Sequence, residues 1–425
     1  MSIVIEPASY AITASSVNVA SPVGSIGTRM FGGRMGTLDN STLKTFHVAM
    51  EVAQDYDAVR LILSNTSGTS SDYIASAKIS AWGDASDLNN SAGTWVSVNT
   101  EGNTAYATAL ASRNASNRVA YTVTDWTALS SVPRTDGGVN PLLGVRLYHV
   151  NSNASLPVYG NGSSDDYANW ATRTDGLLWC ARQQNGDQIT TPSGFTSTTN
   201  TIQSPICGVQ FLARGKVVTV MSFGDSITEG RGTYINEGFI LPACQNITNK
   251  NGVAVSYANC GWSGLPSNGS TGFYQRAIDV LEGPIKPNIL VIPNGSPNDY
   301  STVTDAIVAT ERYGLEQVLQ ACADNGVVPL VWCVFPANSS IDTPAGAENY
   351  GSTDSVRVAW NAEVLTWRAR GIAVADTSTV LNGNVNANGQ IPMLAGSTTD
   401  GIHPNDTGNA LNTPIFEAAL RGLIA

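Results

Sequence analysis

The sequence predicts an all-β sandwich or jelly roll over residues 1–205, followed by an α/β domain with a doubly wound parallel sheet over residues 206–425. Three observations carry this reading. Short segments of alternating polarity fill the first half. In the second half continuous apolar runs alternate with helical periodicities. Between the two, residues 188–205 are almost wholly Thr, Ser, Pro, Gly and Asn, the composition of a connection or long loop.

The first-half strands are expected at residues 56–63, 73–80, 94–98, 118–124 and 143–150. They are rich in Val, Ile, Thr and aromatics and are separated by Asn, Gly, Ser and Asp clusters. With no helical pattern between them, a sandwich or jelly roll follows. In the second half, residues 216–223, 253–258, 288–293, 327–334 and 371–375 are apolar on both faces, as strands of a covered parallel sheet must be. Residues 305–325 place Ile307, Val308, Leu315, Val318, Leu319 and Cys322 on one helical stripe that stops at Gly326. A second helix over 354–369 ends before Gly371. Strands alternating with helices give the doubly wound sheet, whose crevice lies at the carboxyl ends of the strands.

Composition narrows the partners. Of 425 residues 42% are hydrophobic and only 13% charged, against roughly 25% charged in ordinary globular chains. Ser, Thr, Asn and Gly replace the missing charge, a mix common in secreted and virion-associated β-proteins. The net charge is −11, with five lysines and no basic cluster. That excludes a nucleic-acid or anionic-membrane surface and favours neutral substrates over polyanions. No apolar run reaches the roughly 18 residues of a membrane span. The opening Met1–Pro7 shows no secretory signal pattern, and localisation stays open. The six cysteines form no C-x-x-C pair and accompany no His cluster, so no metal or redox site is expected. Cys322 and Cys333 sit in apolar surroundings and read as buried thiols. Neither disulfide pairing nor oligomeric state follows from the sequence.

Chemistry concentrates at strand ends. Gly224-Asp225-Ser226-Ile227 follows the first apolar run, placing a serine hydroxyl at the crevice beside the N–H groups of a helix start. Asp400 and His403, three residues apart near the other end, face one way on a single turn, so the carboxylate can fix the imidazole tautomer. The chain has three histidines, and His47 and His149 fall in the β-rich half. A histidine acting in the α/β half is therefore His403. Donors for an oxyanion are offered by 259–264 after the second run and 294–299 after the third: the Gly264 N–H and the Asn298 amide, beside the Ser226 N–H. Asp225 reads as a cap of its own turn and Asp376 as a structural strand-end carboxylate. Trp332 reads as core, whereas Trp262 is placed to line a substrate cleft.

These four segments, in this order, resemble the SGNH hydrolases, also called the GDSL esterase/lipase family, over residues ~215–425. The resemblance implies a flavodoxin-like sheet with Ser226 as nucleophile, Asp400 and His403 as its triad partners, and Ser226, Gly264 and Asn298 as the oxyanion hole. It implies no metal and no organic cofactor. Departures are Ser296 where the family has Gly, the adjoining Pro297, and Glu229 in place of Asp. Residues 59–68 also resemble a strand of the β-domain that precedes the hydrolase in some bacterial members. The expectation is a serine esterase acting on small-molecule or polysaccharide esters, with acetylated carbohydrates or short-chain esters favoured and the β-half binding glycan or forming a cleft wall. The alternative is a catalytically weak or inactive glycan-binding or phage tail-type component.

Overall fold

The computed structural model describes residues 26–30, 34–39, 44–64, 74–87, 93–100, 121–149, 155–160, 179–190, 203–204, 206–230, 238–248, 252–299, 305–336, 353–385 and 391–424. In the first half the strands are β1 (Ile26–Met30), β2 (Arg34–Asp39), β3 (Lys44–Glu51), β4 (Tyr56–Ser64), β5 (Ile74–Trp82), β6 (Val96–Ser97), β7 (Tyr121–Val123), β8 (Thr127–Ala128), β9 (Leu142–His149), β10 (Ser155–Gly160), β11 (Trp179–Asn185) and β12 (Gln203–Ser204). The second half runs β13 (Ile206–Ala213), β14 (Lys216–Gly224), α1 (Ser226–Glu229), α2 (Ile240–Ile247), β15 (Val253–Gly261), α3 (Phe273–Glu282), β16 (Ile289–Pro293), α4 (Asp305–Asp324), β17 (Val328–Trp332), α5 (Thr353–Thr366), β18 (Ala373–Ala375) and α6 (Asp406–Ile424).

Each apolar run of the second half is a strand. β15 and β16 are buried at every position, because the sheet is covered on both faces. The 305–325 stripe is α4, and Gly326 ends it in the left-handed region at φ 66°. The second helix is α5, finished by a 3-10 turn at Trp367–Arg370 with Gly371 beyond it. Of the expected first-half strands, 94–98 shrinks to two residues, and the described part of 118–124 holds a strand at Tyr121–Val123. Residues 73, 118–120, 150, 191–202 and 205 lie outside the described residues.

Five parallel strands stand in the order β18-β17-β16-β14-β15. Ranked along the chain this is 2-1-3-4-5 read from β15, the flavodoxin-like order, and its switch point lies between β14 and β16. The sheet continues past β15 through β1, β13, β4 and β7, with β8 also on β4, giving ten strands. β1 runs parallel to β15 and antiparallel to β13, so the added wing is antiparallel.

A five-stranded antiparallel sheet, β11-β3-β9-β5-β6, covers that wing. Alternation decides the facing residues: Phe46, Val48 and Met50 of β3 and Val145 and Leu147 of β9 share one core with Val59 and Leu61 of β4 and Val209 and Phe211 of β13. The same core passes under Val218 and Val220 to α2 and α6. On the opposite face Met221, Phe223 and Cys260 pack with α3, α4 and α5. The β-rich region is thus a sandwich with one layer built from the wing of the large sheet. A three-stranded sheet, β12-β10-β2, completes the described strands.

Polar side chains stitch the wing to the parallel strands. Arg60, Gln210 and Thr28 form one cross-strand row, with Arg60 Nε donating to Gln210 at 2.7 Å and Gln210 Nε2 to Thr28 at 3.1 Å. Thr28 N–H then donates to Thr219 at 3.0 Å, and Ser256 donates to the Thr28 carbonyl at 2.7 Å. Cys244, Cys260, Cys322 and Cys333 are buried free thiols among the described residues, and Cys207 is buried with them. Burial pushes Cys260, Cys322 and Cys333 up to about 12. No helix among the described residues is long and apolar enough to cross a membrane.

Phe211 is fully buried and packs edge-on to Tyr56 between the two layers. Phe211→Ala is expected to lower stability by about 3–5 kcal/mol through the lost transfer energy and the cavity left behind, read as a fall in the urea midpoint.

Candidate active site

Ser226 stands at the carboxyl end of β14, on the switch-point crevice. It opens α1, a single turn capped by Asp225, whose carboxylate accepts the Ile227 N–H at 2.9 Å. Gly230 ends the turn in the left-handed region at φ 93°. The cap reading of Asp225 therefore holds. Its second oxygen accepts the Ser296 hydroxyl, which links the β14 end to the turn after β16. Burial raises the Asp225 carboxyl above its ordinary value, against those hydrogen bonds.

His403 arrives from the far end of the chain, on the turn before α6. Its Nε2 lies 2.8 Å from Ser226 Oγ and its Nδ1 lies 2.6 Å from Asp400 Oδ2. Asp400 Oδ1 accepts the backbone N–H groups of Ile402 and His403 at 2.9 and 2.8 Å. Partial burial opposes ionisation of Asp400, and the bonds from His403 and Ile402 outweigh it, holding the carboxyl below the usual range. An ionised Asp400 only accepts, so Nδ1 carries the ring hydrogen and Nε2 turns its lone pair to the Ser226 hydroxyl. The His403 side chain is 7% exposed and that of Asp400 48%, which puts the carboxylate at the solvent rim.

The turn after β15 faces this line. Leu265 N–H closes a turn onto the Trp262 carbonyl at 3.2 Å, with Gly264 at its third position and φ 83°. A side chain would strain the backbone there, although a Cβ would meet only open space. Among the described residues no acceptor is paired with the Gly264 or Ser226 backbone N–H. Glu229 holds this turn by accepting the Ser263 N–H at 2.7 Å, and Asn259 ties β15 to α1 by donating to the Thr228 carbonyl at 3.2 Å. Gly261 permits the approach: a Cβ there would lie 2.4 Å from the Glu229 nitrogen.

Asn298 is exposed on the 3-10 turn Pro297–Asp299 after β16. Its amide donates to the Leu265 carbonyl at 3.0 Å and to Ser296 Oγ at 3.1 Å. The structure thus brings Ser226, His403 and Asp400 into one hydrogen-bonded line and joins the turns of Gly264 and Asn298. Trp262 is half-buried with its ring over the Arg276 guanidinium at 4.5 Å. Trp332 is core, and Asp376 accepts from Ser378 and Thr379 at 3.1 and 2.7 Å, a structural role. Sequence reasoning missed Ser296, Glu229 and Asn259 as the links between strand ends; only the departures at 229 and 296 marked two of them. Among the described residues no three His, Cys, Asp or Glu side chains group as a metal site.

A flavodoxin-ordered sheet with a serine opening a capped helical turn at its switch point, and a histidine brought to it from the turn before the last helix, defines an SGNH-type α/β domain. Residues 222–411 match the GDSL-like Lipase/Acylhydrolase family, and the chain carries a domain of that family there. Solved structures similar to this chain include a GDSL-like lipase from Bacteroides thetaiotaomicron, 22% identical, covering 48% of this chain and 87% of its own, with a TM-score of 0.33. Another is the acetylxylan esterase Axe2 from Geobacillus stearothermophilus, 15% identical, covering 48% and 94%, with a TM-score of 0.35. No curated protein matches the sequence.

Removing the Asp225 carboxylate leaves the Ile227 N–H and the Ser296 hydroxyl without their buried acceptor. Asp225→Ala is expected to cost about 1–3 kcal/mol, and Asp225→Asn less, as compared by thermal denaturation.

Proposed function

We infer that the protein is a serine acylhydrolase that cleaves carboxylic esters, with acetylated carbohydrates or short-chain esters as favoured substrates. The observation that carries this is the line Ser226 Oγ, His403 Nε2 at 2.8 Å, and His403 Nδ1 to Asp400 at 2.6 Å. In this reading His403 takes the Ser226 proton as the hydroxyl attacks the ester carbonyl, and Asp400 stabilises the imidazolium that forms. The N–H groups of Ser226 and Gly264, with the Asn298 amide, receive the oxyanion; the amide would turn from Leu265 and Ser296 to do so. The alcohol leaves with the proton from His403. Water deprotonated by His403 then opens the acyl-enzyme and regenerates the serine. Every group required is supplied by the chain itself.

The substrate class rests on weaker ground, the charge-poor polar surface: only 13% of residues are charged, and the net charge of −11 disfavours polyanions. Residues 206–425 would supply the chemistry. Residues 1–205, a sandwich in part layered on the same sheet, would form a cleft wall or bind the neutral glycan. Trp262, beside the Gly264 turn, would line the cleft.

Ser226→Ala is expected to reduce ester hydrolysis by at least about 10³-fold with an unchanged melting temperature. Fluorophosphonate should label Ser226 in the wild type and not in the variant; an unlabelled folded wild type would instead indicate the non-catalytic glycan-binding alternative. Acetate release from acetylated xylan, set against p-nitrophenyl esters of rising chain length, tests the substrate: a preference for long chains overturns the carbohydrate assignment. Asn298→Ala is expected to lower kcat about 10²–10³-fold with little change in KM, because the oxyanion exists only beyond the ground state.

A further inference from the structure

Behind the Gly264 turn lie two acids that acyl transfer does not use, one buried and one half-buried. Glu311, in the second turn of α4, is fully buried, and the Ser267 hydroxyl lies 2.5 and 2.6 Å from its two carboxyl oxygens. Asp299, which closes the turn after β16, accepts the Ser267 N–H at 2.8 Å. The Asp299 carboxylate and the Glu311 carboxyl thus hold the same residue, Ser267, from two elements. Asn268 donates its amide to Ser267 Oγ at 2.8 Å. Residue 267 is therefore gripped at once by α4 and by the β16 turn.

The Gly264 turn and the β16 turn carry two of the three oxyanion donors of the reading above. Gly264 lies three residues before Ser267, and Asn298 immediately precedes Asp299. The Asn298 amide already spans the gap to the Leu265 carbonyl at 3.0 Å. We propose that Glu311 is a positioning residue for the oxyanion pocket: clasping Ser267 together with Asp299, it sets the spacing between the Gly264 N–H and the Asn298 amide. This rests on the acyl-transfer reading above.

The titratable groups facing Glu311 are Asp299 on the β16 turn and Tyr274 on α3, whose hydroxyl also donates to the Pro293 carbonyl at 3.1 Å. Asp225, at the β14 end, acts electrostatically with Asp299. Burial first, and the Asp299 charge second, push Glu311 from the ordinary 4.5 up to about 9. A carboxyl raised by folding contributes fully at low pH, and its contribution is lost as pH rises through the folded value. Above that value two adjacent carboxylates repel, and the grip on Ser267 opens.

The test is kcat and KM for p-nitrophenyl acetate, corrected for spontaneous hydrolysis, in wild type and Glu311→Gln from about pH 6 to 10. The carboxamide keeps the shape and hydrogen bonds and carries no charge at any pH. The expected result is a wild-type kcat that falls several-fold above about pH 9 at steady KM, and a Glu311→Gln kcat within a few-fold of wild type at neutral pH that does not fall. An identical alkaline fall in both proteins, or a change confined to KM, overturns the proposal. Should Glu311→Gln fail to fold by circular dichroism, Asp299→Asn also leaves one neutral partner and is held to the same flat profile. A wild type without Ser226-dependent hydrolysis would remove the acyl-transfer reading itself, an outcome distinct from unaltered pH profiles in an active enzyme.

Discussion

The hydrogen bond from the Ser296 hydroxyl to the Asp225 carboxylate joins the two strand ends that flank the switch point, and the rest of the site hangs on it. Asp225 uses its other oxygen to cap α1, and the cap decides where Ser226 begins its helical turn. Ser296 in turn accepts the backbone N–H and the amide of Asn298, each at 3.1 Å. One buried carboxylate thus sets the position of the nucleophile candidate and, through a single hydroxyl, that of an oxyanion donor candidate. Both partners are shielded from water, so neither bond competes with solvent, and either partner alone would be an unsatisfied polar group.

The hydrolase half was legible because its signals are local. Apolar runs of both-face burial end in glycine or asparagine turns, and the helix stripes stop at Gly326 and Gly371, both in the left-handed region at φ 66° and 83°. Ser226, Asp400 and His403 could be picked out because each sits in a short block whose residue types suit one task. Ser296 could not, since its partner lies 71 positions away and a serine in a turn has many uses. Glu311 was hidden more thoroughly: between Thr310 and Arg312 on an amphipathic helix it reads as solvated surface, yet it is fully buried. Only the fold reveals that Ser267 and Asp299 receive it.

The β-rich half was legible as strands and opaque as topology. Segments such as Tyr56–Ser64 announce themselves by alternation, but β1 and β13, with Gly27, Arg29, Gly208 and Gln210 among their residues, carry too little periodic signal to be recognised alone. They become strands because neighbours satisfy them: Gln210 lies between Arg60 and Thr28 in one row, and Arg29 donates to the Tyr257 carbonyl at 3.0 Å. The alternating strand pattern suggested a sandwich preceding the hydrolase sheet. The structure makes one of its layers an extension of that sheet, with strands from before and after residue 205.

The place of β1 has a consequence for anyone trimming the chain. In a bare five-stranded order β15 would be the outermost strand, nine residues long and buried at every position in the intact chain, with its free amides and carbonyls presented to solvent. β1 occupies that margin, followed by β13 and β4, and hands the boundary of the sheet to the short β7 and β8. A fragment begun at residue 216 would keep every side chain of the site and lose that cover. It would be a sticky template for its own copies, self-associating through β15, so a soluble minimal enzyme has to retain the segments that look dispensable to its chemistry.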